Sequence, residues 1–313
     1  MHRCVLKNLC TTSISSSCDH KCDQKNHVPP NIPIYDGHIH LNQNVFKIHS
    51  DFVSTKTTPP IRDFYFINNY HKPNEWLTPI TSLSLPHVHI YHTLGIHPKY
   101  FDPNFLHQIL NNLKSRLEVS HLHSNSKDKI VAIGECGLDV TSTISLQQQL
   151  FAFEKQIDLA TSFHIPLVLH CRGTHLYKKM YESLKSRIEH RNLSIHWHCI
   201  NSHSDLHVVD LFLNTFPNAY IGINGSITYE TNSNNSIMFQ KWLIDRSTYL
   251  PDRIILETDY PHLSPKNLHG VYDPSCAIFG TALYLSEIIH SSDQHALAYL
   301  HASNTNIKLM YRL

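Results

Sequence analysis

No stretch of this 313-residue chain approaches the run of about 20 apolar residues that spans a bilayer. Neither sign of charge prevails, with 26 Lys and Arg against 25 Asp and Glu. That balance argues against an extended basic surface holding nucleic acid by phosphate neutralisation alone, but leaves room for a small local phosphate site. No apolar leader precedes Cys4, Cys10, Cys18 and Cys22, so a secreted disulfide framework is not expected. With Cys136, Cys171, Cys199 and Cys276 in the body, the pattern fits an intracellular, reduced protein, cytoplasmic or nuclear. Cys18 and Cys22 flank His20, but a C-x3-C pair without a second pair at the right distance is a poor zinc knuckle. Helical and strand periods are both missing from Met1 to Pro33, which is read as a disordered tail. Its first eighteen residues contain Arg3 and Lys7 but no acid, so import into mitochondria is an alternative role for it.

What the chain has in abundance is histidine, 27 in all, far more than one site can use. Position must decide which of them matter. From Ile34 onward, short apolar runs each end in a polar residue: Ile34–Tyr35 before His38, Val88–Leu94 before His97, and Ile130–Ile133 before Glu135. The series continues with Ile165–Leu169 before His170, Leu193–Trp197 before His198, Ala219–Ile223 before Asn224, and Ile254–Leu256 before Asp259. Runs of this length without strict alternation suit buried parallel strands. Between them lie helical patterns, clearest at Leu146, Leu150, Phe153, Ile157 and Ala160. The segment Asn42–Pro86 is broken by prolines, and a second strand is placed near Phe64–Ile67.

Strand and helix alternate at roughly the 30-residue period of βαβ units, which leaves a doubly wound open sheet or a closed barrel. Polar residues close at least five runs. An open sheet gathers its site at one crevice, whereas a barrel brings many strand ends to one point, so an α/β fold of TIM-type (β/α)8 architecture is expected. It would form one domain over residues 34–313.

His38 and His40 share a strand face by their spacing and supply half of a metal site. With Glu135, His170, His198 and Asp259 they could hold two divalent cations. One would lie near His38, His40 and Asp259, the other near His170 and His198, with Glu135 able to bridge. His196, one step back on the face of His198, is placed inside the barrel, and Glu257, sharing a face with Asp259, is placed behind the ligands. Cys136, Cys171 and Cys199 each adjoin a proposed ligand, and strand parity turns them outward as small buried hydrophobes.

Several segments, in order, resemble the TatD-like metal-dependent deoxyribonucleases of the amidohydrolase superfamily. Asp36–Leu41 is similar to D-x-H-x-H-L, Gly95–Pro98 to G-x-H-P, and Ala132–Asp139 to A-I-G-E-x-G-L-D. Pro166–Arg172 is similar to P-x-x-x-H-x-R, His198-Cys199 to H-C-F, Tyr220–Gly225 to Y-I-G-I-N-G, and Leu256–Pro261 to L-E-T-D-x-P. The resemblance implies a TIM-type barrel with two divalent ions, Mg²⁺ or Mn²⁺ with Zn²⁺ as an alternative, on His38, His40, Glu135, His170, His198 and Asp259. It implies hydrolysis of phosphodiester bonds in DNA, by an exonuclease or single-strand nuclease, with RNA as a further substrate. Asp259 is the candidate for positioning and deprotonating the attacking water, whose pKa the cations would lower; Glu135 acts beside it. Arg172 and Lys99 are candidate phosphate contacts, and His97 either binds a phosphate oxygen or packs beneath the loop. Departures fall in Asn42–Pro86, in Gly270–Pro274, at Ile200 and at His262, giving the chain the look of a divergent eukaryotic branch. Two other functions fit the same residues: an ester or amide hydrolase using the same dimetal centre, and a catalytically silent nucleic-acid-binding protein.

Overall fold

The computed structural model describes residues 32–41, 63–77, 87–122, 129–188, 192–229, 232–267 and 274–313. Eight strands run β1 Ile34–Ile39, β2 Phe64–Tyr70, β3 Val88–Leu94, β4 Ile130–Asp139, β5 Leu167–Arg172, β6 Ile195–Trp197, β7 Ala219–Ile223 and β8 Ile254–Leu256. Each pairs in parallel with the next. The ends of the series meet through two backbone bonds, Asp259 N–H to the His38 carbonyl at 2.9 Å and His40 N–H to the Tyr260 carbonyl at 2.8 Å. The result is the expected eight-stranded TIM-type barrel.

The helices follow the strands: α1 Leu106–Leu122, α2 Leu146–Phe163, α3 Leu176–Arg187, α4 Leu206–Thr215, α5 Asn234–Asp245, α6 Pro274–His290 and α7 Ala296–Tyr311. Their apolar faces, among them Leu113, Phe153, Met180 and Phe212, pack on the outside of the strands. A second cluster fills the barrel itself, where Tyr35, Ile67, Val168, Tyr220 and Ile255 meet Ile307, Met310 and Tyr311 from the end of α7.

Several strand bounds differ from the sequence expectation for local reasons. β4 continues past Glu135 to Asp139 because Gly134 and Gly137 take φ of 142° and 150°, conformations a side chain would oppose, and the pairing shifts register between Ile133 and Cys136. β6 stops at Trp197, so His198 lies just beyond it and Cys199 turns to φ 61°. Strand parity therefore does not apply to Cys199, although Cys136 is buried in the outer core as expected. In α2 the apolar stripe is only partly right: Leu146 is exposed while Gln149 and Gln156 are buried. Those amides hold loops, Gln156 pairing with both the N–H and carbonyl of Ile96, and Gln149 accepting from Asp139 N–H. Ile32 is buried and Pro33 accepts from Asn304 Nδ2, so the expected tail already packs on the barrel at its last two residues. Cys18, Cys22 and Gly270–Asp273 lie outside the described residues.

The seam between β8 and β1 rests on one buried acid. Asp36 accepts from the Thr258 hydroxyl at 2.5 Å, from Thr258 N–H at 3.0 Å and from His38 N–H at 3.2 Å. Gly37 lets the two strands approach, since a Cβ there would collide with Ile255. Replacing Thr258 with Val keeps the side-chain shape but removes a donor to a buried carboxylate. Thr258→Val should lose about 1–3 kcal/mol in urea unfolding, whereas Thr258→Ser should retain most of the stability.

Candidate metal centre

His38 and His40 leave the end of β1 with their Nε2 atoms 3.2 Å apart. The Nδ1 of His40 lies 3.0 Å from the Asn69 carbonyl, which can only accept, so Nδ1 carries the proton and Nε2 presents a lone pair. Asn69 is itself held by β2 and β3, through its amide to the Ile67 carbonyl and its oxygen to Thr93. Into this point reach Asp259 Oδ1, 3.2 Å from His40 Nε2 and 3.7 Å from His38 Nε2, and Glu135 Oε1, 3.5 Å from His40 Nε2.

Glu135 is the hub. Its Oε2 lies 3.3 Å from His170 Nδ1, 3.9 Å from His38 Nε2 and 4.0 Å from His198 Nε2. The rings of His38 and His198 stack at 3.8 Å. Behind the ligands, His170 Nε2 meets Asp139 at 3.2 Å, and His198 Nδ1 donates to Glu257 at 2.9 Å. Glu257 also accepts from Cys199 N–H and Asn224 Nδ2 and sits where Gly222 leaves space, for a Cβ there would strike its carboxylate. Fixing the outer nitrogens of His40, His170 and His198 aims the inner ones, the usual arrangement around a metal-binding histidine.

Burial alone would raise the Glu135 carboxyl, yet the imidazoles of His97, His170 and His38 more than offset it and hold it well below the ordinary range. Burial keeps His38 and His97 well below the ordinary histidine value, and brings His71 down to about 4. Burial also opposes charge on His40, His170 and His198, but Asp259 at His40, Asp139 and Glu135 at His170, and Glu257 at His198 draw them upward. Buried lone pairs facing carboxylates at 3–4 Å are stable only around positive charge, supplied by protons or by cations. A divalent ion with bonds of about 2.1 Å would set its ligand atoms roughly 3–3.5 Å apart, so the donor set fits one. Among the described residues, the atoms that could hold an ion fall into three groups: His38, His40 and Glu135; His97, Glu135 and His170; and His38, His198 and Glu257.

All six expected ligands therefore converge on one place. The expected phosphate contacts are spread more widely. Arg172 ends β5 in an exposed position and makes no ion pair among the described residues; Lys99 Nζ reaches only the Thr141 hydroxyl, at 3.2 Å. His97 instead lies deep, its Nδ1 accepting from Lys99 N–H and its ring 4.3 Å from that of His170. His71 goes unnoticed in the sequence although its Nδ1 lies 3.8 Å from Glu135 and its ring 4.5 Å from that of His40. It follows β2, the strand hardest to place, and only its position just past Tyr70 could have marked it. His262, by contrast, is exposed at the rim.

Binding of Mn²⁺ should raise the melting temperature of the wild-type protein, and Glu135→Gln should abolish most of that gain in a thermal-shift titration. Because imidazole must be unprotonated to ligate, the gain should shrink as pH falls from 8 to 6.

A profile described as TatD related DNase matches residues 35–310. Over 193 residues the chain is 31% identical to the human "3'-5' RNA nuclease TATDN2", covering 59% of this chain and 23% of that protein. It is 28% identical over 182 residues to the "3'-5' ssDNA/RNA exonuclease TatD" of Pantoea vagans, covering 56% and 60%. The matches thus span less than two thirds of the length of both relatives. The crystal structure of YJJV, a TatD homologue from Escherichia coli, shares the fold with a TM-score of 0.65 and 20% identity, over 90% of this chain and 98% of that one. Strand-end histidines, a central glutamate and a family match over nearly the whole barrel agree, and the chain belongs to the TatD-related DNase family.

Proposed function

We propose that the barrel, residues 34–313, is a divalent-metal-dependent nuclease that hydrolyses phosphodiester bonds in single-stranded DNA or RNA from a 3' end. The observation that carries this is the Glu135 carboxylate held within 3.3–4.0 Å of nitrogens from His40, His170, His38 and His198. Two ions, Mg²⁺ or Mn²⁺, would be held by His38, His40 and Asp259 on one side and His170 and His198 on the other, with Glu135 between them. Bound there, they would neutralise charge on the phosphoryl group and make water easier to deprotonate.

The chain's own groups supply the rest. Asp259 enters from the loop after β8 and is the group placed to orient a water and accept its proton. The Asp259 backbone is fixed from both sides, by its N–H on His38 and by its carbonyl accepting from His262 N–H, so the carboxylate is aimed before substrate arrives. Arg172, exposed and without an acidic partner among the described residues, offers a bidentate contact to a phosphate oxygen pair, and Lys99 adds a point charge. Specificity for DNA against RNA follows from loops at the mouth, and the names of the relatives support both polymers.

End-labelled single-stranded DNA and RNA, incubated with Mg²⁺, Mn²⁺ or chelator, test this directly. Cleavage should require metal and fall at least about 10²-fold in Glu135→Ala and in Asp259→Ala. Cleavage that survives both substitutions would contradict the assignment. Arg172→Ala should raise KM for the polymer more than it lowers kcat, the mark of lost substrate binding.

A further inference from the structure

Directly beneath the proposed ligand layer the barrel contains a fully buried histidine, His196, in register with Val168 and Tyr220 of the apolar filling layer. A buried imidazole costs desolvation that an aliphatic side chain would avoid. Both of its nitrogens face polar atoms: Nδ1 lies 2.9 Å from the Tyr311 hydroxyl, and Nε2 lies 3.1 Å from Glu257 Oε2, a close approach that is not an aligned hydrogen bond. The Tyr311 hydroxyl oxygen also lies 3.2 Å from the Gly37 carbonyl, on the strand that carries His38. The Glu257 carboxylate can only accept, so Nε2 carries the ring proton and Nδ1 accepts from the Tyr311 hydroxyl, which fixes the orientation of the ring.

Glu257 is thereby contacted on both oxygens. Oε1 receives His198 Nδ1, Cys199 N–H and Asn224 Nδ2, while Oε2 meets only His196. Rotation of the Glu257 carboxylate would swing His198 away from Glu135, and His196 is the side chain that opposes that rotation on the Oε2 side. We infer that Tyr311, the last residue of α7, and His196 are positioning residues for the metal centre: they form a strut from the C-terminal helix through Glu257 to His198. No other tyrosine could replace it from the same helix: Tyr299 turns outward to His290 Nε2, at 3.0 Å.

The inference rests on the metal reading of the site, and a direct binding measurement separates the two. Mn²⁺ affinity of the full chain is measured by calorimetry, well below the melting temperature, for wild type, His198→Ala, Tyr311→Phe, His196→Leu and Tyr299→Phe. Tyr311→Phe keeps the ring and removes one oxygen; His196→Leu keeps the barrel filled. Both should bind Mn²⁺ about tenfold more weakly, as loss of an outer partner of a metal ligand does. Tyr299→Phe, an equal loss of hydroxyl from the same helix, should bind as wild type. Nuclease activity of Tyr311→Phe should recover at high Mn²⁺ with an unchanged KM for the nucleic acid, which a general loss of folding would not produce. If Tyr311→Phe and His196→Leu bind as tightly as wild type while His198→Ala does not, the strut is refuted and the metal centre stands. A wild-type protein that binds no Mn²⁺ overturns both.

Discussion

One buried carboxylate, that of Glu135, is the constraint around which the upper half of the barrel is arranged. It is almost inaccessible to water, and burial by itself would keep it protonated. Imidazoles from β1, β5 and the ends of β3 and β6 surround it closely enough to keep it ionised. Such a cluster cannot assemble in a flexible chain, because every partner must be held against its own preference for water. The barrel supplies that restraint by delivering each strand end to the same mouth.

The closure between β8 and β1 matters for the same reason. His38 and Asp259 come from opposite ends of the barrel sequence, and they meet only because the backbone bonds at His38 and Tyr260 and the buried Asp36 join the two strands. The seam and the site therefore share residues. Asp36 takes a bond from the backbone of the first proposed ligand, His38, while Thr258 is the residue before the last proposed ligand, Asp259. Packing below the site is apolar and conventional, but the layer between floor and ligands is polar, containing His196, Glu257 and Asn224, each engaged by neighbours.

Much of the site was readable because strand ends in a parallel barrel are marked twice, once by an apolar run and once by the polar residue that follows it. His38, His40, Glu135, His170, His198 and Asp259 carry both marks, and the structure gathers them. His71 carries only half: it follows Phe64–Tyr70, whose Asn68 and Asn69 interrupt the apolar pattern because the Asn68 side chain accepts from Leu41 N–H and the Asn69 side chain bonds Ile67 and Thr93. His97 is readable only as a phosphate contact or as packing beneath its loop, and the structure buries it with Lys99 N–H capping its Nδ1. The buried Gln149 and Gln156 broke no visible rule, since an amide on a helix is ordinarily a surface residue.

The sequence by itself determined the class of fold, the set of chemical groups and their attachment to strand ends, because periodicity and local motif are properties of neighbouring residues. Only the tertiary structure decided which nitrogen of His40, His170 and His198 faces inward, since that choice is made by Asn69, Asp139 and Glu257, acceptors 29, 31 and 59 residues away in the chain. It also decided that Tyr311, 115 residues from His196, stands beneath the ligands. Contacts of that range depend on how the barrel closes and on how its last helix packs against it, and no local pattern encodes either.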